Sequence, residues 1–72
     1  MTKNEALAWV QGNIAYHLDN LDTTICFDAQ IFLEFGMMLM DFEDWLAEKF
    51  SEQFFTVTPI NGPKVIWEIK VI

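Results

Sequence analysis

Apolar and polar positions recur along this chain at two periods, and each stretch predicts an element. From Lys3 to about Asp19 the spacing is helical. Leu7, Val10, Ile14, Leu18 and, at the end, Leu21 fall on one side at roughly 100° per residue. Thr2-Lys3-Asn4-Glu5 supplies the start, with Thr2 as N-cap and Glu5 placed to reach back to it. Trp9 and Tyr16, seven apart, lie on the opposite side of this helix. Two aromatic rings there imply either a helix covered on both sides or a patch that meets a partner. Asp19-Asn20-Leu21-Asp22 ends the helix. Thr23 to Phe27, β-branched and aromatic, follows as a short strand or an extended connector.

The helical period returns from Asp28 to Glu52. Ten of the twelve residues from Ile31 to Phe42 are apolar or Gly. Ile31, Phe35, Met38, Leu39, Phe42, Trp45, Leu46 and Phe50 share one wide face, while Leu33, Met37 and Met40 form a second stripe nearly opposite. Glu34, Asp41 and Glu48 run between the two at intervals of seven. That regularity favours one long helix of about 35 Å at 1.5 Å per residue, with Asp28 as its N-cap. The alternative is a break between Gly36 and Asp41, with Asp41 and Asp44 capping a separate helix. It would leave Met37 to Met40 as an apolar connection, and continuity is the preferred reading.

After Glu52 the period becomes two. Phe54 to Thr58 reads as one strand and Lys64 to Ile72 as another. In the second, Val65, Trp67, Ile69 and Val71 point one way and Lys64, Ile66, Glu68 and Lys70 the other. Asn61-Gly62 between Pro59 and Pro63 marks a hairpin turn. A lone hairpin is barely stable in water, so its Trp67 face must lie on the helices. The expected architecture is a single α+β domain over residues 1–72. Its order is an N-terminal helix, a short strand, a long central helix and a C-terminal β-hairpin packed on the helices.

Composition sharpens one point. A 72-residue chain buries only about 60% of its unfolded surface. Yet 53% of this one is hydrophobic and eleven residues are aromatic. That is more apolar surface than so small an interior holds, so a second subunit or another partner is expected to cover the rest. The net charge is −7, and all four bases are lysines. Direct nucleic-acid binding calls for a positive field and commonly for arginine forks, and neither is present. Cys26 is the single cysteine, so no intrachain disulfide can form. Between Ile25 and Phe27 it is expected as a small buried hydrophobe. No signal-peptide pattern and no apolar run of about 20 residues occurs, so the expectation is a cytoplasmic protein with no membrane segment.

The side-chain inventory restricts chemistry further. One His, one Cys, one Ser and no Arg leave only His17 with Ser51, or His17 with Cys26, for nucleophilic catalysis. Neither pair has a local signature. The glycines are isolated, which excludes a phosphate loop. Structural zinc needs about four Cys or His ligands, and Asp19 and Asp22 fall short of a calcium loop. No catalytic residue, metal site or cofactor is therefore assigned.

Two partial family resemblances bear on function. Phe32-Leu33-Glu34-Phe35-Gly36 followed by Trp45-Leu46-Ala47-Glu48-Lys49-Phe50 resembles the middle of an acyl carrier protein. There an Asp-Ser after the Gly carries phosphopantetheine; here Met38 and Leu39 stand in its place, so the resemblance implies a non-carrying relative. The element order also resembles a winged helix with Asn61-Gly62 at the wing tip. Its recognition helix would present Asp41, Glu43, Asp44 and Glu48 rather than basic residues.

The leading expectation is a non-enzymatic protein–protein interaction module that forms a homodimer. It would use Leu33, Met37 and Met40 on the central helix and Trp9 and Tyr16 on the first. The alternative is that both stripes are ordinary core, the central helix being wrapped on two sides by the first helix and the hairpin. The rival is an acidic inhibitor or nucleic-acid mimic, whose Glu34, Asp41, Asp44, Glu48 and Glu52 fill a basic groove on a target.

Overall fold

Thr2 begins the first helix in the computed structural model, which describes residues 1–72. Its hydroxyl accepts the Glu5 N–H at 3.2 Å, and the Glu5 carboxylate accepts the Thr2 N–H at 3.0 Å. The helix, α1, spans Lys3–Asp19. Ala6, Leu7, Val10 and Ile14 are buried along one side of it, and Leu18 is half-buried. Leu21 departs from that stripe: it is 88% exposed, with a left-handed φ of 62°. The reason lies in how the helix stops. The Asp22 N–H returns to the His17 carbonyl and the Leu21 N–H to that of Leu18. This is a Schellman ending, whose left-handed position is usually glycine.

The first strand, β1, spans Thr24–Asp28. Strand alternation turns Ile25 inward and Cys26 outward. Cys26 is thus exposed, contrary to the burial its apolar neighbours suggested; those neighbours occupy the other face.

The central segment is two helices rather than one rod. α2 covers Gln30–Glu34 and α3 covers Leu39–Lys49. Gly36 takes φ 77° between them. Its N–H bonds the Leu33 carbonyl at 2.9 Å, and the Met37 N–H bonds that of Phe32 at 2.8 Å. This second Schellman ending turns Met37 inward, where it is 4% exposed beside the buried Phe32. Asp41 then restarts the helix by accepting the Met38 N–H at 2.9 Å. The apolar connection is tolerated because Met37 is core and Leu39 half-buried. Asp28 accepts the Gln30 N–H at 2.9 Å, but it ends β1, and the N-cap position of α2 is Ala29 rather than Asp28.

β2 (Phe55–Asn61) and β3 (Val65–Val71) form the hairpin. Asn61 pairs with Val65, so the turn is the three residues Gly62, Pro63 and Lys64. β3 is central in an antiparallel sheet of order β1-β3-β2. The helices cover one face, α3 lying against β2 and α1 against α2. Trp67 sits at the middle of the covered face, 2% exposed, with Ile69 fully buried beside it. The rings of Phe42, Phe27 and Phe32 surround Trp67 with centroids 5.2, 6.0 and 6.1 Å away. The core is twelve side chains, all of them apolar. The outer sheet face carries Thr24, Cys26, Thr56, Thr58, Glu68 and Lys70, and Glu68 contacts Lys70 at 3.5 Å.

Candidate interaction surface

α1 buries one side and leaves its aromatic side uncovered. Trp9 is 61% exposed and Tyr16 65%. The Tyr16 ring meets His17 edge-on at 5.6 Å, and His17 Nδ1 bonds the Asp22 carboxylate at 2.8 Å. His17 is half-exposed, a boundary residue tied to the helix end.

The proposed stripe of Leu33, Met37 and Met40 does not survive the break. Met37 belongs to the core, Leu33 is half-buried on α2, and Met40 is 76% exposed on α3. The turn at Gly36 rotates the helix axes, so a spacing that aligns these residues on one rod scatters them on two. Met40 instead joins Met38 and Phe35 as exposed apolar residues around the connection.

Glu34, Asp41, Asp44, Glu48 and Glu52 are all exposed, and none pairs with a lysine. Glu34 ends α2 and is separated from the others by the break. Asp41 is occupied with the Met38 N–H. No group of three or more His, Cys, Asp or Glu is disposed to hold a metal ion, and no helix is long and apolar enough to cross a membrane. Cys26 and His17 border the same small depression of about 50 Å³. The thiol, however, faces the Glu68 carboxylate at 3.8 Å, whereas a nucleophilic cysteine needs a cationic neighbour.

Two features escaped the sequence. One is an apolar groove of about 230 Å³ beside Trp9, lined also by Met1, Ala6, Val10, Ile31 and Phe32, with Asp28 at its rim. The other is the contrast between the two sheet edges. The Ala29 N–H bonds the Val65 carbonyl and the Val71 N–H that of Thr23. Antiparallel alternation therefore turns the main-chain groups of Ile25 and Phe27 toward β3, and those of Thr24, Cys26 and Asp28 outward. By the same rule Phe55, Val57, Pro59 and Asn61 face outward from β2, since the Ile72 N–H bonds the Phe54 carbonyl. Pro59 thus removes a donor from the middle of the β2 edge, a familiar guard against strand pairing. The β1 edge, Thr24–Asp28, carries no proline. Pro59 was visible in the sequence, but its meaning depends on which way its nitrogen faces.

Compared with known proteins, the chain matches no family model, no curated protein and no solved structure.

Proposed function

We propose that this chain is a small, acidic, non-enzymatic protein–protein interaction module that self-associates as a dimer. The observation that carries the reading is the exposure of Trp9 and Tyr16 on the side of α1 turned away from the core, at 61% and 65%. Large aromatic rings are the residues most often found as anchors in interfaces. Here they stand on a regular helix rather than in a loose segment. Leu21, Met38 and Met40 add exposed apolar surface elsewhere. Its one cysteine, reduced, suits the cytoplasm.

Solution mass measured against concentration by sedimentation equilibrium tests this reading. A mass that rises toward twice the monomer's, and a Trp9→Glu variant that stays monomeric at the same concentrations, are the expected results. A monomer at every concentration up to about millimolar, a dissociation constant worth only about 4 kcal/mol, overturns self-association.

A second reading is supported by the unpaired carboxylates of Asp44, Glu48 and Glu52, all exposed. They suit an acidic inhibitor or mimic that docks in a basic groove. Such binding weakens steeply with added salt, whereas apolar self-association survives it.

A further inference from the structure

We infer that two copies of this chain join through the proline-free edges of β1, antiparallel and centred on Cys26, with Leu21 of each copy entering the apolar groove of the other. The inference rests on self-association and names the surface that performs it.

The register follows from the pairing rule. Only Thr24, Cys26 and Asp28 turn both main-chain groups outward from β1. An antiparallel partner strand engages all of them only when Cys26 faces its own counterpart. Thr24 then faces the partner's Asp28, and Asp28 the partner's Thr24. No acid is set opposite another acid, although each chain carries a net charge of −7. All three residues are exposed. The two sheets merge into one continuous sheet, with the helices of both copies on the same face. Trp9 borders the depression along Ile25, Cys26 and Phe27, so the two-fold axis brings the two Trp9 rings toward each other.

The ends of this edge are complementary in shape. Beyond Thr24 stands Leu21, 88% exposed and held at φ 62°. A leucine in that conformation is strained relative to glycine and contributes nothing to the core of its own chain. Beyond Asp28 lies the groove of about 230 Å³, almost wholly apolar. An enclosed apolar cavity of roughly 150 Å³ takes up benzene, so this half-open groove has room for a leucine side chain. Continuing the Cys26-centred register carries Leu21 to the level of the partner's Ile31, which lines that groove. A knob at one end of an edge and a hole at the other close on themselves under a two-fold axis, the requirement for a symmetric dimer.

Three measurements on the full chain test the proposal. In the first, wild type at dimeric concentration is treated with a short bis-maleimide. Cys26 is expected to cross-link into a covalent dimer. A Cys26→Ala/Thr58→Cys variant, whose thiol lies on β2, is expected to cross-link no faster than dilute monomer. In the second, Thr24→Glu faces Lys70 within its own sheet but the partner's Asp28 across the interface. Folding is expected to be intact and dimerisation weaker on the order of tenfold, from like charges directly opposite at two symmetric positions. In the third, Leu21→Gly separates stability from association. Relief of the left-handed strain should raise the thermal midpoint of the dilute monomer by roughly 4–8 °C. Loss of the buried leucine should weaken the dimer at least about tenfold.

A dimer that tolerates both substitutions, or that cross-links no better through Cys26 than through the β2 thiol, overturns this interface and leaves self-association standing. A monomer at all concentrations overturns both.

Discussion

Glu5 shows how much a single residue can reveal before any fold is known. Its carboxylate accepts the Thr2 N–H and, more weakly, interacts with the Thr2 hydroxyl, and these hydrogen bonds hold its pKa below the usual glutamate value. The folded state therefore favours the ionised form. This contribution to stability is complete above the unfolded glutamate range and is lost as pH falls through the lowered folded value. Glu5→Gln is expected to lower the thermal midpoint slightly at neutral pH, and the gap from wild type should close as the solution is acidified. Thermal melts followed by circular dichroism across that range check it; a gap independent of pH counts against the capping box as its source. The box was legible because both partners lie within four residues. Leu21 was not legible, since its left-handed backbone lies where glycine or asparagine is the usual sign. Nor was the exposure of Cys26, because Ile25 and Phe27 make its surroundings look apolar while alternation sends it to the opposite face.

At the scale of elements, Gly36 decides between one helix and two, and a single substitution reads that decision by its sign. Inside a continuous helix, Gly36→Ala stabilises by about 1 kcal/mol. At φ 77° the same change forces a left-handed alanine and costs about 1–2 kcal/mol. A Cβ at Gly36 meets nothing within 4 Å, so the penalty is purely a backbone one. Urea denaturation of the variant is expected to show the destabilising sign. The helical wheel missed this break because its period tests side-chain direction, and the stripe of Leu33, Met37 and Met40 kept a helical spacing through a residue that left the helix. The signals that did point to it were local: Gly36 at a helix end, an apolar Met37 directly after it, and Asp41 three residues beyond Met38. Met37→Ala is accordingly expected to behave as a core truncation. It should cost about 2–5 kcal/mol of stability with the dimer unaffected once folding is corrected for; a loss of association alone would restore Met37 to the surface. The hairpin, by contrast, was readable. Strict alternation in β3 assigned Trp67 and Ile69 to the covered face, and they lie there.

On the scale of the whole molecule, the surplus of apolar side chains anticipated from size and composition takes a definite form. The core holds twelve residues, and ten large hydrophobics remain more than a third exposed. Composition could foresee that remainder but not its location. It depends on how α1 turns above β1, and on which sheet edge carries Pro59. The same composition sets the sign of a further test. Two bodies of charge −7 repel each other, and the repulsion reaches about 30 Å at 0.01 M salt but only about 8 Å at 0.15 M. Apolar contacts and strand hydrogen bonds are much less affected by such salt. The dimer is therefore expected to tighten as ionic strength rises across this range, by sedimentation equilibrium at fixed pH. An acidic surface that works by filling a basic groove must do the reverse, since salt screens the attraction that holds it there. Complexes that loosen with salt, from a chain that never dimerises, would transfer the function from the α1–β1 side to the carboxylates of α3.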